Sequence, residues 1–188
     1  MDVKHVQALI EKKGAKCVEH SDEDLKLLEE RVETQRDVMS ARATHIDSIT
    51  PRYKLCETVE KYLRNCLTEE SFSASGVYMG PFQTIVECCT DLAPGAFISP
   101  FGLLVIADSI GGNVVAVEAS TGIVYWVDHT SYYEDGILYK DFEKGTWEEV
   151  DFTEENFEKG LVLLERDFYT FLVQLLNDEL EERLDVLD

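Results

Sequence analysis

Asp128 and His129 stand side by side in the middle of the chain, and a carboxylate next to an imidazole is the pair that orients a general base. That chemistry needs the two side chains to meet. Adjacent residues on an extended chain point to opposite faces, and no nucleophile or metal partner stands at motif spacing from His129. The pair therefore reads as a surface feature at a strand end. The turn Ser109-Ile110-Gly111-Gly112-Asn113 has the glycine content of a phosphate cradle. It matches neither G-x-x-x-x-G-K-[ST] nor G-x-G-x-x-G, and it leads into a strand, so no helix N-terminus waits for an anion. Metal chemistry lacks C-x-x-C, H-E-x-x-H and the calcium-loop order D-x-[DN]-x-[DN]-G. The five cysteines, Cys17, Cys56, Cys66, Cys88 and Cys89, form no regular framework. They read as reduced, inert thiols. No catalytic residue, metal ligand or cofactor is expected.

A binding surface is what remains. Trp126, Tyr132 and Tyr133 lie close in sequence to Asp128, Glu134 and Asp135. Aromatic anchors beside fixed negative charge suit a protein interface. For Trp126 the competing assignment is a core residue that the tyrosines cover.

The charge balance restricts the partners. The chain carries a formal net charge of −21, and residues 141–188, with 16 acidic and 4 basic residues, account for −12 of it. Phosphate backbones would be repelled at long range, whereas a basic partner would be drawn in. The same acidity also serves solubility. The N-terminus has no apolar core or small-residue cleavage site of a signal peptide, and no run approaches membrane-span length. A cytosolic protein is expected.

These residues must be positioned by recognisable elements. Val3, Val6 and Ile10 predict a short helix that Gly14 stops. Ser21-Asp22-Glu23-Asp24 caps a second, highly charged helix with a narrow apolar stripe of Leu25, Leu28, Val32 and Met39. Thr50-Pro51 signals the start of a third helix carrying Leu55, Val59, Tyr62, Leu63 and Cys66. Residues 71–82 read as a loop with one short strand, and 82–92 as a short helix. Then come three apolar runs, 103–107, 114–118 and 123–127, joined by short turns, with Gly122 where positive φ is expected. They predict an antiparallel meander. Residues 132–139 read as loop and 147–152 as a fourth strand. A long terminal helix is expected to open at Thr153-Glu154-Glu155 and to carry Leu161, Leu164, Phe168, Phe171, Leu172 and Leu175. The fold class is thus α+β, a central antiparallel sheet flanked by helices. Residues 1–48 form an N-terminal helical extension and residues 49–188 the main domain. Alternate strand residues point oppositely, so the second face of the sheet needs a cover too, expected from the chain's own flanks.

The run FGLLVIADSIGGNVVAVEASTGIVYWVDH resembles the central hairpins of the SUKH superfamily, which includes the yeast cell-wall-synthesis-regulator-like proteins. The shared features fall on Ala107-Asp108, Gly111-Gly112-Asn113, Gly122, Tyr125-Trp126 and Asp128-His129. Phe168-Tyr169-Thr170-Phe171-Leu172 is similar to that family's closing helix, and Thr50-Pro51-Arg52-Tyr53 loosely echoes its Leu-Pro-x-x-Tyr opening. The resemblance implies an α+β fold with no shared catalytic residues. It also implies a non-enzymatic immunity protein that binds and neutralises a cognate polymorphic toxin, a nuclease or deaminase among the possible targets. The candidate partner-binding set is then Asp108, Asn113, Trp126, Asp128, His129, Tyr132, Tyr133, Glu134 and Asp135, facing a basic toxin domain. The alternatives are a regulatory or scaffold protein docking through the striped helix at 22–40, or an enzyme with a deep pocket of converging polar groups.

Overall fold

The computed structural model describes residues 1–42 and 54–187. The Thr50-Pro51 start signal and the 48/49 boundary lie outside the described residues. The chain opens with α1 (Val3–Lys12), β1 (Cys17–Val18) and α2 (Asp22–Arg42). Asp2 caps α1 by accepting the His5 N–H at 3.2 Å. Ser21 and Asp24 cap α2 reciprocally: Ser21 Oγ accepts the Asp24 N–H at 3.2 Å and Asp24 Oδ2 accepts the Ser21 N–H at 2.8 Å. Two orphan backbone donors are satisfied together at that helix start.

The chain continues through α3 (Glu57–Asn65), β2 (Leu67–Thr68), β3 (Phe72–Ala74), β4 (Val77–Met79), α4 (Phe82–Thr90) and α5 (Gly95–Ile98). The meander is β5 (Leu103–Asp108), β6 (Val114–Glu118) and β7 (Val124–Val127). Gly122, between β6 and β7, has φ +79°, a conformation that costs glycine nothing. After it come β8 (Tyr132–Tyr133), β9 (Gly136–Asp141), β10 (Thr146–Asp151), β11 (Val162–Glu165), α6 (Phe168–Leu176) and α7 (Glu181–Asp185). The main sheet is antiparallel, in the order β11-β7-β6-β5-β4-β3. The architecture is α+β with a central sheet. No helix among the described residues is long and apolar enough to cross a membrane.

Both faces of the meander are covered from within the chain. Leu103–Ala107 and Val114–Val117 are buried without a break, although successive side chains point to opposite faces. Two groups of helices supply the cover. In one, α4 and α5 pack on β5, and α2 packs on α4. Gly95 lets α5 close in, because an added Cβ would fall 1.9 Å from the Cys88 carbonyl oxygen and 2.9 Å from Val105 Cγ2. In the other group α1, α3 and α6 pack on one another. There the Tyr62 and Phe168 rings meet edge to face at 5.2 Å. The N-terminal segment that the sequence sets apart is built into this same core: β1 pairs with β2, and the stripe Leu25, Leu28, Val32 and Met39 is buried. That stripe is therefore spent inside the molecule.

Four local expectations are corrected. Residues 71–82 hold a two-stranded hairpin, β3–β4, rather than one strand. Residues 132–139 are not loop but β8 and the start of β9. The strand near 147 does not extend the meander; it pairs with β9 in a separate sheet of order β10-β9-β8. The neighbour of β7 is β11, in a stretch read as helix. The terminal helix begins only at Phe168, where Asp167 Oδ1 accepts the Thr170 N–H at 2.7 Å. Leu161 and Leu164 fit helical spacing, but Val162-Leu163-Leu164-Glu165 is also a short continuous apolar run, and sheet pairing decides such ambiguous runs.

Candidate functional site: a cleft between two sheets

A cleft of about 470 Å³ separates the β9–β10 hairpin from the outer strand of the main sheet. Val162 and Trp126, direct cross-strand partners in β11 and β7, form its inner wall with Gly160 and Leu161. The hairpin contributes Tyr139, Lys140, Phe142 and Trp147, and the C-terminal turn contributes Val186 and Leu187. Both tryptophans of the chain thus line one cleft.

Burial sorts these walls into two kinds. Trp126 is 2% exposed, whereas Phe142, Trp147 and Val186 are 61%, 51% and 85% exposed, with Leu163 beside them also exposed. Nine large hydrophobic side chains stand exposed among the described residues, and four of them gather here. Scattered single exposures need no explanation; a cluster on one opening marks an interaction site.

The hairpin is braced by its own polar contacts. Lys144 pairs with Asp141 and Glu148, and Tyr139 Oη donates to Glu148 Oε2 at 3.0 Å. The Lys144 ammonium and the Tyr139 hydroxyl hold the Glu148 carboxyl below the usual carboxylate range. Lys140 Nζ lies 5.5 Å from the centre of the Phe142 ring, and Lys159 Nζ 5.7 Å from that of Tyr139, distances at which a ring face attracts a cation.

The residues expected to bind a partner fall in five places. Trp126 and Asp128 line the cleft. Asp128 Oδ1 is occupied locally, accepting the Thr130 N–H at 2.8 Å and the Thr130 hydroxyl at 2.6 Å. Asn113 and His129 form a structural junction. Asn113 Oδ1 accepts the His129 N–H at 2.8 Å and stands 2.9 Å from His129 Nδ1. A backbone N–H fixes that atom as an acceptor, so Nδ1 carries the hydrogen. Asp128 Oδ1 lies 3.7 Å from His129 Nδ1, too far for the hydrogen bond of a dyad. Asp108 ends β5 opposite Val114, near Asn113, and lines a small depression with Gly80, Thr84 and Cys88, where burial raises its carboxyl pKa.

The two tyrosines separate. Tyr132 is 2% exposed and donates to the Phe157 carbonyl at 2.6 Å, among Phe152 and Phe157. Its ring lies against Gly160, where an added Cβ would stand 2.7 Å from the phenol. Tyr132 is core, as is Trp126, and neither offers a surface anchor. Tyr133 stays half-exposed and donates to Glu149, which pushes its phenol up to about 12. Glu134 and Asp135, in the β8–β9 turn, are exposed.

Phe142, Trp147, Lys140 and Lys159 escaped sequence reasoning. Their signal was nonetheless present: in Lys140–Glu149 the only large apolar side chains are Phe142 and Trp147, embedded among charges where no core face needs them. Among the described residues no group of three or more His, Cys, Asp or Glu is placed to hold a metal ion. The chain matches no protein-family model, no curated protein and no solved structure.

Proposed function

We propose that this chain is a non-enzymatic protein-binding module acting by stoichiometric capture, in the manner of an immunity protein that neutralises a toxin. One observation carries this: four exposed apolar side chains converge on a single cleft in a molecule of net charge −21. Apolar anchors within a charged rim are the anatomy of a protein interface. The acidic exterior steers a basic partner, raising the rate of encounter, and the anchors then hold it. The SUKH-like run at 101–129 fits the same activity, and a basic nuclease or deaminase domain is the partner whose charge complements this surface.

The test is co-expression with the product of the neighbouring gene. A 1:1 complex that abolishes that protein's activity, with an association rate that falls as salt rises, supports capture. No complex, or an association rate indifferent to salt, contradicts it.

A further inference from the structure

Among the described residues the cleft lining holds two lysines and one aspartate, in a molecule of net charge −21. Lys13, Lys16, Lys26, Lys61 and Lys144 each pair with a carboxylate. Lys140 and Lys159, at the cleft, make no ion pair among the described residues, and neither do Lys4, Lys12 and Lys54 elsewhere on the surface. Lys140 and Lys159 each lie over an aromatic ring instead, with their donors available. Among the described residues Asp128 is the one carboxylate in the lining, and its Oδ1 is bound to Thr130. The cleft therefore presents two cations beside Phe142, Trp147 and Leu163.

A second feature concerns Trp126. Its indole N–H is buried and has no hydrogen-bond partner, and its side chain forms part of the cleft wall. A buried unpaired donor is costly, and most native ones are matched. The same side chain also borders a small depression with Ser75, Ser109 and Asp185, so the indole is packed between the two openings.

The occupant's size follows from the walls. A small-molecule site encloses most of its ligand. Here Phe142, Trp147 and Val186 keep half or more of their surface in solvent, which suits a chain segment of a larger partner. β11 is also an edge of the main sheet, the kind of strand along which an extended segment lies.

Resting on the protein-binding function above, we infer that the cleft takes an extended segment of the partner bearing apolar side chains and carboxylates. The apolar side chains sit against Phe142, Trp147 and Leu163, and the carboxylates meet Lys140 and Lys159. Charges more than about 8 Å apart are largely screened at physiological salt. The two lysines therefore govern what enters the cleft, while the −21 field governs only the approach. Selection by a sign opposite to the overall charge gives specificity that bulk attraction cannot supply.

Both tryptophans line the cleft, so their two indole N–H resonances report its occupancy. The probes are an eight-residue peptide alternating glutamate with leucine and phenylalanine, and the same peptide with lysine at every glutamate. The glutamate peptide should shift both indole resonances and bind at least tenfold more tightly than the lysine peptide. Lys140→Glu combined with Lys159→Glu should reverse that order, and because both lysines are exposed, the variant should keep the native circular dichroism. Bulk charge alone gives the opposite order in the native protein. Equal or tighter binding of the lysine peptide, silence of both indoles, or an unchanged preference in the double variant overturns the inference. If the neighbouring gene's product forms its complex and neither peptide shifts an indole, the cleft assignment falls and protein binding stands. If the glutamate peptide binds as described and no such complex forms, the cleft chemistry stands and the capture function falls.

Discussion

Tyr132→Phe separates a core tyrosine from a surface anchor. The substitution removes one hydroxyl and no ring volume, so no cavity forms. What is lost is the 2.6 Å hydrogen bond to the Phe157 carbonyl, made by a side chain that is 2% exposed. A buried hydrogen bond contributes a net 0.5–1.5 kcal/mol, and an acceptor left short of a partner adds desolvation cost, so the loss should be about 1–2 kcal/mol. For a chain of this length that corresponds to a fall in Tm of roughly 3–6 °C. Calorimetry or thermal circular dichroism measures it directly. Tyr133→Phe is the control: its hydroxyl bonds to Glu149 at the surface, and its effect should stay within about 0.5 kcal/mol. Tyr132→Ala should cost about 3–5 kcal/mol, because it also empties the space between Gly160, Phe152 and Phe157. Equal melting temperatures for the native protein and Tyr132→Phe would refute the placement of this ring. So would a Tyr132→Phe variant that melts normally yet loses its partner.

Further consequences follow from titration and burial. Burial pushes the Cys66 and Cys89 thiols up to about 12 and Cys88 up to about 11. Native protein near pH 8 should therefore label rapidly with a thiol reagent at two cysteines at most, Cys17 and Cys56, and at all five after unfolding. Fast labelling of Cys89, which is fully buried, would contradict the packing of α4 on β5. Asp178 joins α1 to the β3–β4 turn: it pairs with Lys13 and accepts the Ser75 N–H at 2.9 Å. The Lys13 ammonium, with that N–H, holds its carboxyl below the usual value of 3.8. The stabilisation is present above that value and is lost as pH falls through the lowered pKa, so Asp178→Asn should destabilise at neutral pH and progressively less as acid protonates the native carboxyl. A destabilisation independent of pH would argue against the charged pairing. Burial raises the Tyr62 and Tyr132 phenols far above 10. Their stabilising contribution is present below pH 10 and is lost as pH rises, so these two phenols should ionise only together with alkaline unfolding. Stepwise ionisation of all eight tyrosines in intact protein would contradict it.

The meander was legible because its signals agree. Three apolar runs, short turns and Gly122 all specify antiparallel pairing, and β6 spans the residues its pattern predicts. The same consistency made the Gly14 stop of α1 and the Ser21–Asp24 cap of α2 readable. Sequence failed where one pattern fits two periods. Leu161, Leu164 and Phe168 fall at helical intervals, yet β11 forms because its backbone completes the sheet beside β7, an interaction no local window contains. The site was less legible for a related reason. Trp126 and Tyr132 have the composition of interface anchors, and only the tertiary fold buries them, Trp126 beneath the cleft and Tyr132 against Gly160. Phe142 and Trp147 lie in a highly charged segment that offers only a fourth strand starting at Trp147, which singles out neither ring as exposed. Their neighbours in the cleft, Leu163 and Val186, come from far along the chain.

In the proposed function the partner docks in the cleft between the β9–β10 hairpin and β11. Hydrogen–deuterium exchange of the full chain, alone and with the neighbouring gene's product bound, locates the docking surface. Protection should concentrate in 138–148, 159–165 and 183–187, with the outer surfaces of α1 and α2 unchanged. Protection confined to α1 and α2, with the hairpin exchanging as in the free protein, would contradict it.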